Sequence, residues 1–215
     1  NPPPPLQVHR YNANTFILRE NLCATYEAPF IYLLIGKTKA LLIDTGAVAD
    51  AKTMPLAETV ISLLANGGSR MPLMVVHTHG HLDHRSGDDQ FRVLPDVEVV
   101  PTDLESVKTR FSLDDWPNSI GQIDLGDRVI DVIPTPGHYR SHVAYYDRQT
   151  ALLFSGDFIL PGRLLIEDTN ADLASAQRVV AFAEQRPITY VLGGHIELDE
   201  SGKTFFGTPH HPNER

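Results

Sequence analysis

The stretch VVHTHGHLDHRSG, residues 75–87, carries four histidines and one aspartate within eight positions. His79 and His81 are two residues apart, so their side chains point the same way if the backbone there is extended. Asp83 and His84 follow as neighbours, and because adjacent side chains diverge, they can reach a second point close by. This spacing fits two neighbouring metal positions better than one crowded ion.

Five apolar, strand-like runs each lead directly into a residue of a type that binds metal. They are ALLID ending at Asp44, LMVV before His77–His84, VIPTPGH ending at His138, ALLFSGD ending at Asp157, and YVLGGH ending at His195. In open α/β sheets, sites form beyond the carboxyl ends of the strands, where the loops converge. In three of the runs a glycine precedes the ligand and lets the backbone turn tightly. The repetition predicts one shared site.

The order of these residues resembles the signature of the metallo-β-lactamase superfamily, which is His-x-His-x-Asp-His followed by isolated His, Asp and His. Asp44-Thr45-Gly46 matches the first motif of that family, and the resemblance covers about residues 30–195. It implies an α/β fold, namely an αββα sandwich of two mixed β-sheets with helices on the outer faces. Ser86 and the run GHYRSH depart from the commonest pattern, which affects the loops more than the ligands.

The resemblance also implies how the ligands are divided. His79, His81 and His138 would hold a first metal, Asp83, His84 and His195 a second, and Asp157 would bridge the two. It further implies that Asp44 orients the ligand loop, although an aspartate after a strand also suits a simple turn. His142 either supports a ligand in the same way or is exposed. His77 is expected to be a packed or supporting histidine and not a ligand.

Histidine nitrogen and carboxylate oxygen suit zinc, and iron or manganese is also compatible with them. A bound metal lowers the pKa of water from about 15.7 towards 7, which supplies hydroxide at neutral pH. Asp83 would lie close to that water and could take its proton, so it is the candidate catalytic residue. We therefore expect a hydrolase that uses a metal-bound or bridging hydroxide at a dinuclear, zinc-containing site.

The substrate is less well defined by the sequence. Small esters, lactones or thioesters are the first expectation, and a β-lactam hydrolase of the all-His/Asp type is an alternative. The chain extends only about twenty residues past His195, which disfavours an enzyme with a helical glutathione-binding domain there. An alternative from another class is an oxygenase similar to persulfide dioxygenases, with one non-haem iron on His79, His138 and Asp157. The loops 22–30, 111–121 and 160–170 are candidates for the walls around the substrate. They carry the apolar residues Tyr26, Phe30, Phe111, Trp116 and Leu160, and the acidic residues Asp114, Asp115, Glu167 and Asp168.

Composition limits the other possibilities. A chain of 215 residues fits a single domain, 1–215, in which the proline-rich residues 1–6 form an unpacked arm. The net charge of −9 disfavours nucleic acid as a partner. The expected partner is a small-molecule substrate, as the hydrolase chemistry implies. The single cysteine, Cys23, excludes an internal disulfide and is expected to be buried. No apolar run is long enough for a membrane span. The sequence leaves the cellular location of the protein undecided between the cytoplasm and export after loss of a signal peptide before Asn1. It does not predict the oligomeric state.

The elements that must position these residues follow from hydrophobic periodicity. Strands are predicted within 15–21, 30–35, 40–44, 73–76, 128–133, 143–147, 151–154 and 189–192. A helix is predicted over 53–66, stopped by Gly67 and Gly68. A capping box at Thr102 and Glu105 opens a second helix towards Phe111. A third helix within 171–187 has an apolar stripe of Leu173, Ala176, Val179, Val180 and Ala183.

Overall fold

Eleven strands form two sheets within residues 3–65 and 71–198, the parts of the chain that this computed structural model describes. The chain divides into two compact units, one with a six-stranded sheet and one with a five-stranded sheet. In the described residues, no helix has the length and apolar character needed to cross a membrane. That the whole chain is a single domain stays a prediction.

The six-stranded sheet has its strands in chain order, and it is mixed. The strands are β1 Leu6–Asn12, β2 Thr15–Glu20, β3 Phe30–Ile35, β4 Ala40–Ile43, β5 Leu73–Val76 and β6 Val97–Val99. The first four pair antiparallel, whereas β4, β5 and β6 run parallel. The parallel pairs need crossover connections, which contain α1 Leu56–Ala65 and α2 Asp88–Arg92. The carboxyl ends of β4 and β5 therefore meet at one edge, where Asp44 N donates to Val76 O at 2.8 Å.

Helix α1 packs on this sheet through the face that the sequence predicts. Leu56, Val60 and Leu64 are buried at a spacing of four residues, and Leu63 is partly buried beside them. The helix is shorter than the predicted 53–66, and Pro55 directly precedes its first residue. Gly67 and Gly68, the predicted stop, lie outside the described residues.

The five-stranded sheet has the order β11-β10-β9-β8-β7. Its strands are β7 Gly121–Asp124, β8 Val129–Pro134, β9 Val143–Asp147, β10 Leu152–Gly156 and β11 Tyr190–Gly193. Strands β8, β9 and β10 pair antiparallel, and β10 pairs parallel with β11 across α4 Thr169–Gln185. Helix α3, Leu104–Phe111, belongs to the same unit. The predicted strands at 128–133, 143–147, 151–154 and 189–192 are thus confirmed to within two residues.

The predicted stripe on α4 was largely wrong. Val179 is buried, but Ser175 and Phe182 are the other buried residues, while Leu173 and Val180 are 59% and 60% exposed. Both sets repeat at helical spacing and share Val179, so periodicity alone did not separate the two faces. Phe182 packs edge-to-face on Tyr146, which fixes the buried face.

Three smaller expectations also need correction. Helix α3 begins one residue later than the predicted capping box, because Asp103 is the N-cap and accepts from Ser106 N at 3.0 Å. Cys23 is exposed and not buried. The arm predicted over residues 1–6 does not include Pro5 and Leu6, because Leu6 is buried and begins β1, and the carbonyl of Pro5 accepts from Asn21 N. Residues 1 and 2 of this prediction lie outside the described residues.

Candidate metal centre

The histidine-rich stretch leaves the sheet at the end of β5 and then turns. Thr78 O accepts from Val143 N at 2.9 Å, and the backbone of His81 is extended. A single 3₁₀ turn, Leu82–His84, follows at once. The change from extended backbone to turn separates His79 and His81 from Asp83 and His84, as the spacing of the motif suggests.

The structure brings the seven predicted ligands into two groups. One ligand atom from each residue lies within 4.8 Å of the others in the group His79, His81 and His138, and likewise in the group Asp83, His84, Asp157 and His195. Imidazole nitrogen and carboxylate oxygen are donors for zinc, iron and manganese. The chemistry and convergence of the donors therefore fit a metal at each group. Within the described residues, His77 belongs to neither group.

The tautomer of His138 is fixed by a backbone carbonyl. His138 Nδ1 lies 2.5 Å from Leu165 O, and because a carbonyl only accepts, Nδ1 carries the proton. The lone pair is then on Nε2, which lies 3.2 Å from His79 Nε2. This is the protonation state in which Nε2 can bind a metal.

His84 is oriented in the same way by Asp44. His84 Nδ1 donates to Asp44 Oδ2 at 2.9 Å, and both side chains are almost fully buried. Asp44 adopts a left-handed backbone conformation with φ 67°, which Asp tolerates better than most residues. The charged acceptor keeps the proton on Nδ1 and leaves Nε2 as the ligand atom, 3.5 Å from Asp83 Oδ2.

The carboxylate of Asp157 faces two histidines with its two oxygens. Oδ2 lies 3.6 Å from His138 Nε2, and Oδ1 lies 3.6 Å from His195 Nε2. The two histidines fall in different ligand groups. The two oxygens of Asp157 thus each lie near a histidine of a different group.

His142 is buried behind the first group, which excludes the alternative that it is exposed. Its ring stacks on that of His79 with centroids 5.2 Å apart, and its Nδ1 lies 2.8 Å from Thr135 Oγ1. Gly156, with φ +53°, leaves room for this packing, because an added Cβ would lie 2.9 Å from His142 Nε2.

A buried polar network below the motif was not predicted from the sequence. Asp88 Oδ1 accepts from Thr45 Oγ1 and lies 2.8 Å from His77 Nε2. Arg92 Nη2 donates to Asp88 Oδ2 at 3.0 Å. Burial raises the pKa of the Asp88 carboxyl, but these hydrogen bonds and charges outweigh it and hold the pKa below its usual value. The network thus joins three segments, namely His77 just before the motif, Thr45 in the loop after β4, and helix α2 with Asp88 and Arg92.

Asp88→Asn is expected to lower the free energy of unfolding by about 1–3 kcal/mol at pH 7, because a buried charged acceptor is lost. A carboxyl whose folded pKa is lowered stabilises the fold above its unfolded pKa, and this contribution is lost as the pH falls through the folded pKa. The difference between the proteins should therefore shrink below about pH 4. Urea unfolding between pH 3 and pH 7 measures it. Asp89→Asn, at an exposed neighbour, is the control, and equal effects of both changes would contradict the assignment.

Glu20 is a second supporting residue that no sequence pattern indicated. Its carboxylate accepts from Ala47 N at 3.0 Å and Val48 N at 3.4 Å, in the loop that begins with Asp44. Burial raises the pKa of Glu20, and the two backbone donors partly offset the shift. Gly46 has φ +78°, and a Cβ there would lie 2.2 Å from Glu20 Oε1, so this close approach requires glycine.

The residues proposed as walls of a substrate site differ in their exposure. Phe111 is buried and packs edge-to-face on Tyr145, so it belongs to the core and not to a wall. Tyr26 is largely exposed, and Trp116 and Leu160 are half-buried.

Comparison with known proteins agrees with these observations. Residues 25–195 match the family model described as the metallo-beta-lactamase superfamily. The chain is 28% identical to the acyl-coenzyme A thioesterase MBLAC2 of Homo sapiens, over 88% of this chain and 81% of that protein. It is 30% identical to a hydroxyacylglutathione hydrolase of Methylobacillus flagellatus, over 86% of this chain and 70% of that protein.

Solved structures show the same fold. A metallo-β-lactamase from Hirschia baltica superposes with a TM-score of 0.66 at 17% identity, covering 89% of this chain and 90% of that chain. A metallo-β-lactamase from Pontibacter korlensis gives 0.61 at 20% identity, covering 88% and 91%. The expected fold class, two mixed sheets with helices, is thereby confirmed. With the family model matching most of its length, the chain belongs to the metallo-β-lactamase superfamily and is one of its hydrolases.

Proposed function

We propose that the protein hydrolyses small acyl substrates, namely esters, lactones or thioesters, with two zinc ions as its cofactors. The observation that carries this proposal is the convergence of seven nitrogen and oxygen ligands in two groups. An oxygenase with one iron needs only three of these ligands. A hydrolase with two metals makes use of all seven.

The first metal is assigned to His79, His81 and His138, and the second to Asp83, His84 and His195, with Asp157 between them. The two oxygens of Asp157, which face His138 and His195, support the bridging assignment. When bound, such metals supply hydroxide at neutral pH and polarise the carbonyl oxygen under attack. His84 and His138 contribute by keeping their Nδ1 atoms protonated, and Asp44 and the carbonyl of Leu165 hold those protons in place.

Asp83 is assigned the proton transfer. Its side chain is 25% exposed, more than that of Asp157, so water can reach it. The carboxylate accepts the proton of the attacking water, which then adds to the acyl carbon. The bond from that carbon to the oxygen or sulfur of the leaving group breaks, and the leaving alcohol or thiol takes up the proton that Asp83 accepted. A serine or cysteine nucleophile is not needed for this route.

The relatives favour thioesters among the acyl substrates. One is named as an acyl-coenzyme A thioesterase and another as a hydroxyacylglutathione hydrolase, so both names describe hydrolysis of an acyl compound. The net charge of −9 supports a further preference for these acyl compounds over nucleic acid. We therefore place thioesters and esters first.

A substrate panel tests the proposal. The zinc-loaded protein is expected to hydrolyse an aryl ester, a lactone or a neutral thioester, to lose this activity with a chelator, and to show at most traces on a bis-aryl phosphodiester. Phosphodiester turnover above that of every acyl substrate would refute the acyl assignment. If a β-lactam is hydrolysed faster than the esters, lactones and thioesters, the proposed mechanism would stand, and the substrate class would be β-lactams instead.

A further inference from the structure

Three consecutive aliphatic side chains are exposed in the loop between β10 and α4. Leu164, Leu165 and Ile166 are 47%, 63% and 40% exposed. Single exposed aliphatic residues are ordinary on protein surfaces, whereas neighbouring exposed apolar residues are a feature that binding surfaces share. We call these three residues the aliphatic platform.

The backbone on the N-terminal side of the platform is fixed by an ion pair. Arg163 donates through Nε and Nη2 to the two carboxylate oxygens of Glu197, each at 3.0 Å, and its backbone N donates to Oε2 at 2.8 Å. Glu197 N in turn donates to Pro161 O at 2.8 Å. The bidentate contact of a planar guanidinium orients the loop as well as holding it.

The C-terminal side is fixed by the residue before His138. The backbone nitrogens of Glu167 and Asp168 both donate to Gly137 O at 2.9 Å. Asp168 also caps α4 by accepting from Ala171 N. The platform is thus held at both ends, so its exposed side chains lie on an ordered backbone.

The middle of the platform is joined directly to a predicted metal ligand. The carbonyl that accepts the proton of His138 Nδ1 is that of Leu165. The Leu165 side chain is therefore on the residue whose backbone orients His138, and one imidazole ring separates that backbone carbonyl from Nε2, the atom that would bind the metal. Glu167 and Asp168 follow immediately, so an anion would be repelled where an uncharged chain would not.

We propose that the aliphatic platform, Leu164–Ile166, binds the uncharged aliphatic acyl chain of the substrate. This inference rests on the proposed acyl hydrolysis and adds the part of the substrate that is recognised. The carbonyl lies at the ligands His138 and Asp157, and the hydrocarbon extends over the platform. Longer linear acyl chains are then better substrates than acetyl groups.

The test compares 4-nitrophenyl acetate, butyrate and octanoate. In the zinc-loaded wild-type protein, kcat/KM is expected to be at least about ten-fold higher for octanoate than for acetate, because each methylene removed from water favours binding. The variants are Leu165→Ser and the triple change Leu164→Ser, Leu165→Ser and Ile166→Ser. Each should lower this octanoate-to-acetate ratio, and the triple variant should bring it close to one.

Val180→Ser is the matched control, since Val180 is an aliphatic residue on α4 that is 60% exposed. It should leave the ratio unchanged. A second readout does not depend on activity, because 2-octanone is an uncharged ketone that cannot be hydrolysed. By NMR titration, 2-octanone should bind the wild-type protein at least about five-fold more tightly than the triple variant, as expected for a few methylenes in contact.

The outcomes distinguish the inference from the proposed function. If the wild-type protein hydrolyses esters with an octanoate-to-acetate ratio near one, or if the triple variant keeps the wild-type ratio, the platform does not bind the acyl chain. The proposed hydrolase function would still stand. If no acyl substrate is hydrolysed but 2-octanone still binds the wild type more tightly than the triple variant, the proposed function is wrong. The platform would then still be a binding site for an aliphatic chain. A wild-type dimer that becomes a monomer in the triple variant would show that a second copy covers the platform, against the proposal.

Discussion

Replacing His138 with alanine is expected to remove about half of the bound metal and to abolish hydrolysis. Within the described residues, the imidazole is one of the three histidines that form its group, and a metal site that loses one of its protein ligands no longer holds its metal well. His79→Ala should have the same effect, because both residues belong to that group. Metal content is measured by inductively coupled plasma mass spectrometry, and activity with an aryl ester.

Two further variants show whether the effect is specific. His77→Ala should keep nearly all of the metal, because His77 contacts Asp88 and is in neither group of the described residues. Asp44→Asn should weaken metal binding by about 10–100-fold without removing a ligand, since it only orients His84. Full metal content and normal activity in His138→Ala would contradict the ligand assignment. Loss of one ion in His77→Ala would require a different set of ligands.

The Asp157→Ala change is expected to lower the occupancy of both metals together. Two cations a few ångströms apart repel each other, and a carboxylate between them offsets that repulsion. Its two oxygens face His138 and His195, which lie in separate groups. Native mass spectrometry resolves chains with two, one and no metal, so the loss of both ions can be distinguished from the loss of one.

The matched comparison for this change is Asp157→Asn, which keeps the shape and one oxygen donor but removes the charge. It should retain more metal than the alanine variant and still less than the wild type. If Asp157→Ala instead loses a single ion and keeps the other at full occupancy, Asp157 is a terminal ligand and the bridging assignment is wrong.

Several predicted site residues could be found in the sequence because they stand at or shortly after the end of an apolar run. Asp157 and His195 directly follow or nearly follow strands β10 and β11, and Asp44, which orients His84, directly follows β4. A strand ending is a local property of the chain, and hydrophobic periodicity reveals it. The division of the ligands between two metals then came from the resemblance to the metallo-β-lactamase superfamily.

The supporting contacts could not be found in the same way. Leu165 contributes only its backbone carbonyl to His138, 27 residues away, and any residue type has that atom. Glu20 contacts the loop after β4 from β2, and neither segment carries a pattern that indicates the other. Such contacts depend on which segments the fold brings together, and a periodic pattern contains no such information.

The elements that the sequence missed are short or uniform in exposure. In β1 only Leu6 is buried, so the alternation that marks a half-buried strand is absent there. Strand β6 has three residues and helix α2 has five, which is too short for a periodic pattern. The two apolar faces of α4 were separated only by the packing of Phe182.

The central claim is that the chain holds two zinc ions in two groups of ligands. The most direct test is the identity and stoichiometry of the metal in protein purified without added metal, measured by inductively coupled plasma mass spectrometry against protein concentration. About two zinc ions per chain are expected, since the seven ligands form two groups. One iron per chain would contradict this expectation and would favour the oxygenase with ligands His79, His138 and Asp157.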